Sequence, residues 1–124
     1  MSLVLIVEDN EKNMKLARDV LQAKGYQTVE AVTGEEGVKL TGERKPDLVL
    51  MDIQLPGISG IEALKQIRAD AATAAIPVIA LTASVTPTDR GLITAAGFDA
   101  FISKPINLKE FLDTVKRLAE GGAK

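Results

Sequence analysis

The chain has 124 residues with a formal net charge of −2, 46% hydrophobic and 26% charged residues, and neither cysteine nor histidine. This length and mix predict one globular domain, and the missing cysteine excludes disulfides, thiolate metal sites and cysteine nucleophiles. The missing histidine excludes catalytic triads that need an imidazole. A slightly acidic chain offers no broad basic field for nucleic acid, and its apolar runs are too short to span a bilayer.

The N-terminal segment MSLVLIVEDN has no basic leader and turns acidic after a short apolar run. These features argue against a signal peptide. We therefore expect a soluble, cytoplasmic protein without a nucleic-acid or membrane partner, and we expect a monomer.

The chain begins with two strand–helix units. Residues 3–7 (LVLIV) are apolar throughout, and Asn10 after them can cap a helix. Residues 27–32 (QTVEAV) alternate between polar and apolar side chains, which predicts a strand at the edge of a sheet. Thr33 can cap the second helix, although Gly37 inside it costs ~1 kcal/mol relative to alanine.

Three further units follow in the same pattern. Strands are predicted at residues 47–51, 77–81 and 100–103, and helices are predicted after the N-cap residues Ser59, Thr86 and Asn107. Five strands in strict alternation with five helices predict a doubly wound α/β fold with a five-stranded parallel sheet. No linker, repeat or low-complexity tract interrupts the pattern, so we expect a single domain over residues 1–124 with no output domain.

Polar residues follow four of the five predicted strands. Glu8 and Asp9 follow the first strand, Asp52 the third, Thr82 the fourth and Lys104 the fifth. Ligands of an open parallel sheet bind beyond the carboxyl ends of its strands, so these five residues are the candidate site. Read singly, each has a structural explanation, such as acids at a helix N-terminus or a carboxylate that begins a turn.

The residue types at this edge suit phosphoryl transfer. Three acids repel one another unless one keeps a proton or a cation binds, and carboxylate oxygens with few protein ligands favour Mg²⁺ over Ca²⁺. Lys104 and Thr82 add a positive charge and a hydroxyl, which stabilise a tetrahedral oxyanion. Asp52 is the lone acid on the central strand, and it is the candidate nucleophile for an acyl phosphate.

The chain resembles the receiver domain of two-component response regulators. The resemblance is carried by LIVEDN at residues 5–10, PDLVLMDIQLPGISG at 46–60, VIALTA at 78–83 and FISKPI at 101–106. Within that family it is most similar to single-domain receivers of the DivK kind, which regulate cell division and polarity. The resemblance implies a flavodoxin-like fold with strand order 2-1-3-4-5.

The resemblance also implies a phosphoacceptor and a metal site. Asp52 would accept a phosphoryl group from a histidine kinase or a histidine phosphotransfer protein, as one step of a phosphorelay. Asp9, Asp52 and the backbone carbonyl of Gln54 would bind Mg²⁺, with Mn²⁺ as a substitute, and Glu8 would act through water. The chain would be a signalling module and not an enzyme, apart from self-catalysed phosphorylation and autodephosphorylation.

A switch is implied by the same resemblance. Thr82 and Lys104 would contact phosphoryl oxygens, and Phe101 would report the state of Thr82 through its rotamer. Phe101 stands where many members carry tyrosine, so a phenol hydrogen bond is lost. Lys104–Pro105 would be a cis peptide. A downstream protein would bind through helix 4, strand 5 and helix 5.

Other readings of the same residues remain open. A haloacid-dehalogenase-like phosphatase also uses a strand-end aspartate and Mg²⁺, but it needs a second acid at the position of Gln54. A receiver excised from a hybrid histidine kinase would carry the same motifs. A flavodoxin-like FMN binder is disfavoured because the segment EDNEKN after the first strand would repel a phosphate.

Overall fold

The computed structural model describes residues 2–55, 57–83, 87–104 and 106–121. Strands and helices alternate along the whole chain. They are β1 (Leu3–Val7), α1 (Glu11–Ala23), β2 (Gln27–Ala31), α2 (Gly34–Arg44), β3 (Leu48–Asp52), α3 (Gly60–Ala69), β4 (Val78–Thr82), α4 (Pro87–Ala96), β5 (Ala100–Ser103) and α5 (Leu108–Lys116). A π-helical turn, Arg117–Gly121, follows α5. The alternation confirms the predicted α/β class.

The five strands form one parallel sheet in the order β2-β1-β3-β4-β5, as the resemblance implied. Val7 at the end of β1 lies level with Ala31 of β2 and Met51 of β3. Because all strands run in one direction, their carboxyl ends meet at one edge, and β1 and β3 are neighbours there. The alternating β2 is an edge strand, as predicted.

The predicted bounds of three strands were wrong by one residue. β2 ends at Ala31 instead of residue 32, whereas β3 and β4 are shifted by one residue and include Asp52 and Thr82. Asp52 pairs with Leu81, and Thr82 pairs with Ser103. A polar side chain does not interrupt the backbone ladder, so Asp52 and Thr82 lie within their strands, whereas Glu8, Asp9 and Lys104 follow the ends of β1 and β5.

Side-chain caps fix where the helices begin. Asn10, Thr33, Ser59 and Asn107 each accept a hydrogen bond from the backbone N–H three residues further on, which confirms four predicted N-caps. The fifth predicted cap, Thr86, lies outside the described residues. These caps position the loops that join each strand to its helix.

The sheet is buried on both faces. On one face α1 and α5 pack through Met14, Ala17, Leu21, Phe111 and Val115 against Val4 and Ile6, and on the other α3 packs through Ala63, Leu64 and Ile67 against Leu5 and Val7. Alternate residues of β1 therefore serve opposite layers, which explains why this strand is apolar throughout.

Two glycines allow close packing beside the carboxyl edge. A Cβ at Gly37 of α2 would lie 2.8 Å from Cγ2 of Val7, so the glycine lets α2 approach β1. A Cβ at Gly60 would overlap the backbone carbonyl of Asp52 and lie 2.9 Å from the Cα of Ile53. Gly37, which costs helix propensity, is thus a packing residue.

Candidate functional site

The acidic residues predicted from the sequence converge at the carboxyl edge of the sheet. Glu8, Asp9 and Asp52 each offer one carboxylate oxygen, and these oxygens lie within 4.8 Å of one another. Glu8 and Asp52 are buried, with 1% and 4% exposure, whereas Asp9 is exposed. The backbone N–H of Glu8 donates to the carbonyl of Ala31 (3.0 Å), which ties the end of β1 to the edge strand. The cluster therefore has a buried half and a half open to solvent.

Lys104 inserts between the two buried acids. Its Nζ lies 2.7 Å from Oε1 of Glu8 and 3.1 Å from Oδ2 of Asp52. The backbone N–H of Lys104 donates to the carbonyl of Thr82 (2.7 Å), which anchors the lysine to the end of β4. One cation thus lies against two buried acids, and its charge can balance one of them.

The charges at this edge shift the pKa values of two of these groups. Burial and the hydrogen bond with Asp52 raise the pKa of Glu8 to about 7, although Lys104 and the backbone N–H of Asn10 act in the opposite direction. Burial alone would lower the pKa of Lys104, but its contacts with Glu8 and Asp52 outweigh burial and raise it. The site therefore retains a charged lysine, and Glu8 exchanges its proton near neutral pH.

The donor atoms of the cluster fit a hard divalent cation. Oε1 of Glu8 is buried, and its contact among the described residues is the ion pair with Nζ of Lys104. Three carboxylates that offer oxygens within 4.8 Å of one another are a donor set that Mg²⁺ accepts, with water completing its coordination. Oδ1 of Asp52 accepts a hydrogen bond from the N–H of Gln54 (3.0 Å). The role of the Gln54 carbonyl as a ligand remains a prediction.

The remaining predicted residues lie on the neighbouring strands. Thr82 is 6% exposed and ends β4, next to the strand that carries Asp52. Phe101 is half-buried on β5 and pairs in register with Ala80 of β4. Pro105, and with it the predicted cis peptide, lies outside the described residues. The sheet thus brings Thr82 to the same edge as the acids, while the switching role of Phe101 remains a prediction.

The ion pair between Glu8 and Lys104 is the feature that the sequence reasoning missed. The resemblance assigned Glu8 a contact through water to a metal, and it assigned Lys104 to a phosphoryl oxygen. The signal for burial was present, since Glu8 directly follows a strand that is apolar throughout. A carboxylate placed there needs a cation or a proton whenever a metal ion is not bound.

The sheet order and the acid–lysine cluster together define a receiver-type α/β domain. The chain belongs to the family of response regulator receiver domains, whose profile matches residues 4–116. It is 49% identical over 113 residues to the polar-differentiation response regulator DivK of Brucella anthropi, a match that covers 91% of this chain and 92% of the relative. It has the same identity and coverage to the DivK protein of Brucella ovis.

Solved structures agree with this assignment. The receiver domain of a sensor histidine kinase of Pseudomonas aeruginosa, solved with a magnesium ion coordinated in the active-site cleft, is 30% identical with a TM-score of 0.89. That match covers 95% of this chain and 97% of the other. The chemotaxis protein CheY4 of Vibrio cholerae is 26% identical with a TM-score of 0.89, covering 95% and 98% of the two chains. Within the described part of the chain, no helix is long and apolar enough to cross a membrane.

Proposed function

We propose that this protein is a phosphorylation-controlled switch that accepts a phosphoryl group on Asp52 from a histidine kinase or a histidine phosphotransfer protein. The observation that carries the proposal is the position of Asp52 on the central strand, 3.1 Å from Lys104 and beside two further acids. These 124 residues include no histidine, so the donor imidazole of this proposal lies outside them. In this reading the protein changes its binding partners and does not turn over a substrate.

The proposed transfer uses groups that are already in place. A carboxylate oxygen of Asp52 attacks phosphorus, the O–P bond forms as the N–P bond of the phosphohistidine breaks, and the imidazole leaves with the electron pair. Lys104 can shift from the carboxylate of Asp52 to a phosphoryl oxygen, where its charge offsets the negative charge of the phosphoryl group. Mg²⁺, held by Asp9 and Asp52 with Mn²⁺ as a substitute, would supply further positive charge.

The proposed output surface consists of α4, β5 and α5. The carbonyl of Thr82 is hydrogen-bonded to Lys104, so a change at the end of β4 reaches the connection between β5 and α5 directly. Leu92 on α4 and Leu108 at the start of α5 are 56% and 46% exposed. Exposed leucines of this kind suit a protein-binding face whose shape depends on the phosphorylation state.

The likeness to DivK supports a narrower role. Identity of 49% over nearly the whole chain makes a part in cell division or polarity the favoured pathway. We propose that the protein acts in the cytoplasm as a monomer, with its output provided by a separate binding partner. A pull-down with and without beryllofluoride, a mimic of the phosphoryl group, would identify a partner that prefers one state.

Intact-protein mass spectrometry after incubation with acetyl phosphate and MgCl₂ tests the phosphoacceptor. The wild-type protein should gain one phosphoryl group, Asp52→Asn should gain none, and Asp9→Asn should gain less because a metal ligand is lost. Asp113→Asn, an exposed acid on α5, is the matched control and should behave as the wild type. Phosphoryl mass on Asp52→Asn would refute the assignment, and sustained turnover of p-nitrophenyl phosphate would favour a phosphatase of the haloacid-dehalogenase kind.

A further inference from the structure

A groove between α1 and α5 lies apart from the acidic cluster. It has a volume of about 610 Å³ and is lined by Lys24, Tyr26, Lys109, Leu112, Asp113 and Lys116. Tyr26 directly precedes β2, and Lys24 is the C-cap of α1, so these residues lie at the amino edge of the sheet. Asp52 lies at the opposite, carboxyl edge. A molecule in this part of the groove would leave the phosphoacceptor accessible.

The groove has an apolar floor and a charged rim. Tyr26 and Leu112 are half-buried and pack against the core beneath α1 and α5, whereas the other four lining residues are exposed. Three of those four are lysines, although the chain as a whole has a net charge of −2. Within the described ranges, none of these three lysines forms an ion pair. The rim is therefore a positive patch on an acidic protein.

Helix electrostatics account for only part of this patch. Lys24 and Lys116 stand at the C-terminal ends of α1 and α5, where a cation is favoured by the helix dipole. Lys109 lies in the first turn of α5, where the same dipole disfavours a cation. The helix dipole therefore does not explain the position of Lys109 on the rim.

We propose that the groove between α1 and α5 binds an acidic segment of a partner protein, with an apolar side chain of that segment resting on Tyr26 and Leu112. Charge complementarity with the three lysines selects acidic residues. The apolar floor and the volume of the groove favour a peptide segment over a small inorganic anion. This surface shares α5 with the output face proposed above, but it also includes Lys24 and Tyr26 at the amino edge of the sheet, opposite Asp52. We therefore expect its affinity not to depend on phosphorylation of Asp52.

Fluorescence anisotropy with a labelled peptide of glutamate and leucine residues provides the test. The double variant Lys24→Glu/Lys116→Glu should bind this peptide about tenfold more weakly than the wild type. The matched control, Lys39→Glu/Lys65→Glu, makes the same change in net charge at exposed positions on α2 and α3 and should change affinity by about twofold or less. Circular dichroism confirms that each variant is folded. Saturation with beryllofluoride should leave the affinity unchanged.

Four results would overturn the proposal. One is the absence of peptide binding, and another is an equal loss of affinity in the two double variants, which would reflect net charge alone. The third is that a glutamate-only peptide binds as tightly as the peptide with leucine, or that inorganic phosphate displaces the peptide. Either would indicate a small-anion site to which the apolar floor does not contribute. The fourth is loss of binding on beryllofluoride loading. None of these results affects phosphorylation of Asp52, so this proposal and the proposed function fail separately.

Discussion

The free energy of unfolding of the metal-free protein should decrease as the pH rises from about 5 to about 7. Glu8 has an ordinary pKa of 4.5, and in the folded protein burial and Asp52 raise that pKa to about 7. Between these values the folded state holds a proton that the unfolded state has released. The stability that this proton provides is fully present below pH 4.5 and is lost as the pH rises through about 7.

The size of this effect follows from the two pKa values. A difference between 4.5 and about 7 corresponds to about 3 kcal/mol at most, because each pH unit over which one proton is retained is worth about 1.4 kcal/mol. The chain has no histidine, so few other groups change charge in this interval. Mg²⁺ requires the deprotonated acids, so saturating MgCl₂ should flatten the slope or reverse it.

Urea unfolding followed by circular dichroism, at several pH values from 5 to 8, measures this dependence in EDTA and in MgCl₂. The variant Glu8→Gln keeps the size and burial of the side chain but cannot titrate, so its metal-free stability should vary little over this range. Glu62→Gln, an exposed acid on α3, should retain the wild-type slope. A slope that persists unchanged in Glu8→Gln would refute the assignment of the buried proton to Glu8.

Other substitutions test the packing around the site by urea unfolding. Gly60→Ala should lower the free energy of unfolding by about 1–3 kcal/mol, because the added Cβ would overlap the backbone at the end of β3. Gly42→Ala should raise it by up to about 1 kcal/mol, because no atom lies within 4 Å of the added Cβ. Phe111→Ala should cost about 3–5 kcal/mol, because this ring is fully buried under α5, whereas Leu108→Ala at an exposed position of the same helix should cost far less. Arg68→Ala should lower the free energy of unfolding by about 1–3 kcal/mol. The guanidinium donates hydrogen bonds to the carbonyls of Ala74 and Ile76 and to the carboxylate of Asp99. An unchanged unfolding midpoint would show that these hydrogen bonds do not contribute to stability.

Local chemistry made most of the fold predictable. The side-chain caps at Asn10, Thr33, Ser59 and Asn107 act within one helical turn, so the sequence alone indicates where four helices begin. The strand order, in contrast, depends on which strands pair across the sheet, and it was available only through resemblance to a family. Alternation in β2 indicated an edge position because only a strand at the edge tolerates an exposed face of this kind.

The candidate site was predicted less completely than the fold. The positions of Asp52 and Lys104 after apolar runs were sufficient to place both at one edge of the sheet. Their contact with Glu8 depends on side-chain depth, which strand patterns do not specify. Gly37 could not be explained from the sequence for the same reason. Helix propensity predicts only that a glycine weakens α2, whereas its close contact with Val7 depends on how α2 packs against β1.

The lysine between the two buried acids affects how the folding of the domain depends on metal. Lys104 reaches Glu8 and Asp52 as part of the same chain, so a positive charge beside both acids is in place once the domain has folded. We expect the domain to complete its fold whether or not magnesium is present. Metal supply would then govern how fast the folded protein reacts more than whether it folds.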